Sequence, residues 1–335
     1  MSQPSTAAPF GLPTVDDTLA ADLARGLVEV EDRLRRAVRS EDKFVTEASR
    51  HLVDAGGKRF RATLVLLASH FGDPTAAEIV PAAVVVELTH LATLYHDDVM
   101  DEAALRRGEA SANSRWDNTV AILTGDLLFA RASDVVAGLG PEAVRIQART
   151  FSRLVHGQIQ ETVGPREGDD PLQHYMEVVA DKTASLIATS GRFGAMFGRA
   201  DAASVDIVTR ACEAIGVAFQ LSDDILDITS DTGESGKTPG TDLREGVLTL
   251  PMLHALRSAE PSGARLRELL GDDLDDDARH AEALALLRSD PAMETARGDM
   301  RRWADTARTE ILKLAPSPAR AAFESMCDFV VERTG

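Results

Sequence analysis

Two stretches of this chain place three aspartates where a helix gains nothing from them. In Leu94-Tyr95-His96-Asp97-Asp98-Val99-Met100-Asp101-Glu102 they close an apolar helical run, and Gln220-Leu221-Ser222-Asp223-Asp224-Ile225-Leu226-Asp227 repeats the construction. Asp97 and Asp101 stand four apart, as do Asp223 and Asp227, so each pair shares one helix face a turn apart. Carboxylates at a helix C-terminus oppose the macrodipole and repel one another, and a bound cation relieves both effects. Oxygen ligands without histidine or cysteine suit magnesium, which keeps waters and bridges to phosphate. Asp272-Asp273-Leu274-Asp275-Asp276 matches the same pattern literally, but it follows Gly271 and opens a helix. Aspartates there are ordinary N-terminal charges, so this third copy is read as a solvated turn.

Groups suited to a diphosphate accompany the first two clusters. Only five of the 36 basic residues are lysine, and three of those five lie in such surroundings. Lys58 is in Gly56-Gly57-Lys58-Arg59-Phe60-Arg61, a glycine turn leading a basic cluster into a helix, which suits an anion near a helix N-terminus. Arg106 and Arg107 follow Asp101 by five and six residues. Lys182-Thr183 lies in an otherwise apolar helical stretch, and Lys237 in a Gly/Pro loop just beyond the second cluster.

The elements that carry these residues read as helices throughout. Helical spacing of apolar residues predicts helices at about 15–38, 43–54, 58–71, 81–101, 116–138, 142–163, 171–198, 202–228, 248–260, 263–270, 276–288, 291–314 and 317–333. Period-2 alternation is scarce, which argues against strands. The helices at 81–101 and 174–198 are apolar or small on most faces, as befits the inside of a bundle. With no linker and no repeat, the sequence predicts one all-α domain over 15–335, preceded by a loose Ser/Pro/Ala/Thr-rich arm at 1–14.

Composition narrows the partners. The 335 residues include 54 acidic side chains against 36 basic ones, a formal net charge of −18. That balance argues against nucleic acid and against a broad anionic-membrane footprint. No uninterrupted apolar run reaches the ~18 residues of a spanning helix. Cys212 and Cys327 read as buried free thiols of a reducing cytoplasm.

On these residues the chain resembles the trans-isoprenyl diphosphate synthase (polyprenyl synthetase) family, over roughly residues 20–330. The motifs occur in family order, from Gly56-Gly57-Lys58-Arg59-Phe60-Arg61 through Asp97–Asp101 with Arg106-Arg107-Gly108, Lys182-Thr183, Phe219-Gln220 and Asp223–Asp227 to Gly236-Lys237-Thr238-Pro239-Gly240-Thr241-Asp242. The resemblance implies an all-α bundle of the isoprenoid synthase type around a central cavity, usually homodimeric and cytoplasmic. It implies head-to-tail (1′-4) condensation of an allylic diphosphate with isopentenyl diphosphate. Magnesium, as three ions bound with the allylic diphosphate, is held by Asp97, Asp98, Asp101, Asp223, Asp224 and Asp227. By the same resemblance Arg106, Lys182 and Lys237 contact that diphosphate, and Lys58, Arg61, His90 and Arg107 hold the second one. The Thr183 hydroxyl and the Gln220 side-chain oxygen steady the allylic cation, and the released diphosphate removes the final proton. One departure stands out: Val247 occupies a position where many members carry lysine, which weakens allylic binding or leaves the task to Arg244.

The helix entering the first cluster also bears on product length. Ala92 and Thr93 lie about one turn, ~5.4 Å, before Asp97, and an isoprene unit is about one turn long. Aromatics there would floor a tunnel early, whereas this pair leaves it open, with Thr89 and then Val85 and Val86 further down. The expectation is a C30–C50 product for quinone side chains, made from a farnesyl or geranylgeranyl primer, with Phe151 as a candidate floor. Release of so greasy a product could bring the protein against a membrane surface. Close helix packing alone would also explain a small Ala92 and Thr93. Three alternatives stay open: a short-chain (farnesyl or geranylgeranyl) synthase, a class I terpene cyclase and a non-catalytic regulatory subunit. The cyclase would not need Lys58, Arg61 and Arg107, and regulatory subunits typically lack aspartates that are present here.

Overall fold

Helix α1 (Asp17–Ala37) begins at Asp16, whose carboxylate accepts the Leu19 N–H at 2.8 Å. Leu19, Leu23, Val30 and Leu34 line its buried face. The structure, a computed structural model, describes residues 16–230 and 239–334. The arm at 1–14 and Lys237 lie outside the described residues. Among those described there are sixteen α-helices and one two-residue hairpin. The all-α expectation holds.

The chain forms two compact units, each discontinuous in sequence. One comprises residues up to Ser152 with Leu186–Cys212 and Ile311–Phe323; the other comprises Arg153–Ser185, Glu213–Glu310 and Glu324 onward. The sequence carries no linker between them because the divisions fall inside helices: Ser152/Arg153 within α7 (Pro141–Val163) and Cys212/Glu213 within α10 (Ala202–Thr229).

In the first unit α2 (Lys43–Asp54), α3 (Phe60–Ser69) and α6 (Asn118–Ala137) pack with α1 around α4 (Ile79–Met100). Helix α4 is long and apolar enough to cross a membrane by length and composition, yet Pro81 to Thr89 are all buried in this unit, as a core helix requires. Its Tyr95 hydroxyl donates to the Ala48 carbonyl and accepts the Leu52 N–H at 3.3 Å, which ties α4 to α2. Helix α9 (Ser185–Phe197) runs close against α3, where a Cβ on Gly194 would overlap the Val65 carbonyl oxygen.

In the second unit Leu221, Ile225 and Ile228 of α10 pack with α12 (Leu250–Arg257), α13 (Ala264–Leu270), α14 (Asp277–Ser289) and α15 (Pro291–Ile311). The C-terminal helix α16 (Pro318–Glu332) adds Val330 to the same core.

Three departures from the expected helices concern the residues of interest. The stretch 171–198 is not one helix: α8 (Pro171–Val178) leads into a π-helical turn, Val179–Ala184, before α9. On α7, Arg153 donates to Asp181 Oδ1 at 2.7 Å and to the Ala180 carbonyl at 3.2 Å, which holds that wider turn. Residues 105–110, which lie outside the expected helices, pair as a hairpin with Leu105 opposite Ala110. Arg107 and Gly108 both take positive φ, 55° and 81°, as a tight two-residue hairpin turn requires. Finally, the loop after the second cluster contains a short helix, α11 (Thr241–Arg244).

Gly194→Ala is expected to lower stability by about 1–3 kcal/mol, because the new methyl meets backbone that cannot step aside. An unchanged thermal midpoint would show that α9 can slide along α3.

Candidate active site

The first aspartate cluster ends α4, and Asp98 is its buried member. Its Oδ1 accepts Arg106 Nε at 2.6 Å, and its Oδ2 is buried without a hydrogen-bond partner. Burial pushes the Asp98 carboxyl above its ordinary range, and Arg106 opposes that shift. Asp97 is partly buried and Asp101 exposed. The hairpin that follows brings Arg106 back onto Asp98 and sends Arg107 to α2, where it donates to the Leu52 carbonyl at 2.8 Å and to the Gly56 carbonyl. Gly57 takes φ 127°, a conformation that favours glycine, and a Cβ there would also lie 2.8 Å from the Arg107 guanidinium carbon.

Those arginines belong to a cationic cluster that includes two buried acids, Asp98 and Glu87. Arg59 lies at φ 51° before α3 and pairs with Glu31 and, at 3.8 Å, with Glu87. Glu87 Oε1 accepts the Ala62 N–H at 2.9 Å. Burial lowers Arg61 from its ordinary value to about 10, with Glu87 raising it and Arg107 lowering it. His90 is driven well below its ordinary value by burial and then by Arg61, Arg107, Arg59 and Arg106, so it is neutral in the fold. Lys58 is exposed at the start of this segment. The sequence-predicted set Lys58, Arg61, His90, Arg106 and Arg107 thus falls in one unit, and Arg59 joins it. A concentration of guanidinium groups so short of carboxylates suits a multiply charged anion.

The second cluster lies in the other unit, beside a cavity of about 420 Å³ lined by Lys182, Thr183, Gln220, Asp224, Val247 and Leu248, among others. Each aspartate is held differently. Asp223 pairs with Arg333, the residue after α16, whose guanidinium also covers the Phe219 ring at 4.6 Å. Asp224 is buried; its Oδ1 accepts Gln220 Nε2 at 3.0 Å and its Oδ2 accepts the Tyr175 hydroxyl. Burial raises Asp224 to about 6, against the pull of those two donors. Asp227 accepts the Thr241 and Asp242 N–H groups, each at 3.2 Å, and so starts α11.

The π-turn sets Lys182 and Thr183 on the cavity. A Cβ on Gly157 would lie 2.6 Å from the Lys182 nitrogen, so glycine lets α7 approach the turn. Lys182 pairs with Glu161, which corrects the expectation of purely apolar company. The Thr183 hydroxyl donates to Gln220 Oε1 at 3.0 Å. Val247 lines the cavity and is 43% exposed. Arg244 does not stand in for the missing lysine: it donates to the Asp275 carbonyl at 3.1 Å and to Asp277 at 2.8 Å, away from the lining. In the third aspartate copy, Asp276 caps α14 by accepting the Ala278 and Arg279 N–H groups, as its position after Gly271 predicts. Tyr175 and Arg333 escaped sequence reasoning, since neither lies in a motif that points to the aspartates.

The chain-length candidates lie in the first unit. Thr89 and Ala92 are buried and Thr93 partly so. Thr89 and Thr93 each donate their hydroxyl within α4, to the Val85 and His90 carbonyls. The Ala92 carbonyl would be 3.1 Å from a Cβ on Gly125, so α6 approaches α4 here and a small Ala92 also serves packing. Phe151 stacks on Phe129 with ring centroids 3.8 Å apart.

The donor set around both clusters is oxygen only, and the unpartnered Asp98 Oδ2 is a buried acceptor that a hard cation would satisfy. Among the described residues no three potential metal ligands already converge on one point.

The pH dependence of stability follows from His90. An unfolded chain protonates it near 6.5, while the folded chain resists until well below, so the unfolded state binds more protons in that window and stability falls as pH drops through it. His90→Gln is expected to flatten the fall in thermal midpoint of the unliganded protein below about pH 6.5. A fall as steep as in the wild type would place the proton elsewhere.

The comparisons agree with this geometry. The protein-family model described as "Polyprenyl synthetase" matches residues 42–287. The chain is 48% identical over 326 residues, 97% of each sequence, to the nonaprenyl diphosphate synthase of Mycobacterium tuberculosis. Its fold is similar to that of the geranylgeranyl pyrophosphate synthase of Corynebacterium glutamicum, a structure complexed with calcium and isoprenyl diphosphate (TM-score 0.88, 45% identity, 96% of this chain and 99% of that one). It also resembles the decaprenyl diphosphate synthase of Rhodobacter capsulatus (TM-score 0.85, 33% identity, 95% and 99% covered). The chain belongs to the polyprenyl synthetase family.

Proposed function

We propose that the chain is an all-trans polyprenyl diphosphate synthase that joins an allylic diphosphate to isopentenyl diphosphate and makes a C30–C50 product. The observation that carries this reading is the cluster of Arg59, Arg61, Arg106 and Arg107 around neutral His90. Within it Arg61, His90 and Arg107 form an anion site in the first unit, while Lys182 lies in the second, and an enzyme that ionises one diphosphate without adding a second substrate has no use for that site. The relative named for a nonaprenyl product, 48% identical along nearly the whole chain, supports the longer product.

In this reading Lys182 contacts the leaving diphosphate, and Lys58, Arg61, His90 and Arg107 hold isopentenyl diphosphate. The allylic C–O bond breaks with its electron pair going to diphosphate. The cationic carbon then bonds to C4 of isopentenyl diphosphate, and a proton passes to the released diphosphate. Thr183 and Gln220 turn oxygens toward the developing positive charge. Magnesium, held by the aspartates, would neutralise the leaving group as Lewis acid. The calcium and isoprenyl diphosphate in the C. glutamicum relative support a divalent ion and this substrate class.

A homodimer and a cytoplasmic location complete the proposal. Ile122 and Leu123 of α6 are 42% and 61% exposed, an apolar pair that a second copy could cover. The buried cysteines Cys212 and Cys327, not joined in a disulfide, suit a reducing compartment.

Purified protein with magnesium, farnesyl diphosphate and labelled isopentenyl diphosphate tests the reading: elongation that depends on the second substrate supports it, and none refutes it. Thr93→Phe, at the partly exposed member of the small pair, should shorten the product seen by mass analysis, and an unchanged length would route the tunnel elsewhere. Val247→Lys should leave the enzyme active without raising the KM for the allylic substrate. Lost activity there would reveal a packing role for Val247.

A further inference from the structure

Tyr175, on α8 seven residues before Lys182, reaches the buried face of α10, where its hydroxyl donates to Asp224 Oδ2. Gln220 Nε2 donates to Asp224 Oδ1 at 3.0 Å, so each oxygen of this carboxylate has a donor of its own. The second bond has a directional consequence. A primary amide offers N–H on one side and a carbonyl oxygen on the other. Anchoring the N–H side on Asp224 leaves Gln220 Oε1 turned toward Thr183, whose hydroxyl it accepts at 3.0 Å. The reversed amide would set its oxygen against the carboxylate and leave the Thr183 proton without this acceptor. Asp224 therefore decides which end of Gln220 meets Thr183, and Tyr175 decides where Asp224 stays.

We propose that Tyr175 is a positioning residue for the condensation, locking Gln220 through Asp224 so that oxygen rather than N–H is presented beside Thr183 on the cavity. This rests on the prenyl-transfer reading, because oxygen there matters when the bound carbon becomes cationic. The chain Tyr175–Asp224–Gln220–Thr183 aligns its hydrogen bonds so that the Thr183 lone pairs are left for the cavity. Tyr175 itself touches no reacting atom.

Tyr175→Phe keeps the ring and removes only the hydroxyl. It should lower kcat about tenfold, the scale of one hydrogen bond to a charged group, with KM for both diphosphates nearly unchanged. In a Gln220→Met background the same change should have no further effect, because Tyr175 acts through Gln220. An equal loss in both backgrounds would make Tyr175 a merely structural residue and overturn the proposal.

A second measurement needs no turnover. The sequence contains two tyrosines, Tyr95 and Tyr175, so 3-fluorotyrosine labelling gives two fluorine resonances. Gln220→Met should move the Tyr175 resonance and leave that of Tyr95, bonded to the Ala48 carbonyl, in place. A Tyr175 resonance indifferent to Gln220 would sever the proposed link. This signal reads the network in the unliganded protein, so it decides the positioning role even if the wild type elongates nothing. A wild type without isopentenyl-dependent turnover would instead refute the functional reading.

Discussion

A carboxylate carried into the core on an apolar helix must be met by donors, because an isolated buried charge costs far more than one helix can supply. Both units are arranged around that requirement. At the end of α4, Asp98 is answered by Arg106, and a tight hairpin with two consecutive positive-φ residues brings that arginine back. At the end of α10, Asp224 is answered by Tyr175 and Gln220, Asp223 by Arg333, and Asp227 by the backbone of α11. The hairpin, the short helix and the residue that follows the C-terminal helix each satisfy charges that α4 and α10 carry.

The same requirement works in reverse where the cations gather. Arg59, Arg61, Arg106 and Arg107 crowd one region in which Glu87 and Asp98 are the buried acids, and His90 responds by staying neutral. Self-repulsion of this kind is tolerable when an anion completes the balance. The acidic total of the chain therefore misdescribes its site: a charge of −18 coexists with a local excess of guanidinium groups.

The π-turn at Val179–Ala184 shows how a site is fitted into a regular bundle. A continuous α-helix would carry its side chains in one regular spiral. The wider turn, pinned by Arg153 and approached through Gly157, sets the adjacent Lys182 and Thr183 on one cavity. Lys182 then meets Glu161 and Thr183 meets Gln220.

Much of this was legible in the residues. Apolar spacing at 3.6 residues marked nearly every long helix, because one face of each must be buried whatever it packs against. Helix position alone separated the two C-terminal aspartate clusters from the capping aspartates at Asp272–Asp276, since the macrodipole favours acids at one end and opposes them at the other. The π-turn, the 105–110 hairpin and α11 escaped because side chains distant in sequence hold them: Arg153 is 28 residues from Asp181, and Asp227 is 14 from Thr241. Tyr175 and Arg333 escaped for the same reason, standing 49 and 110 residues from the aspartates they hold. The chain by itself determined which residues could do the chemistry and on which helices they ride, since type and period are local properties. Only the tertiary structure decided which donor answers each carboxylate, that Arg244 turns to Asp277, and which end of Gln220 faces Thr183, because a hydrogen bond depends on where two distant segments meet.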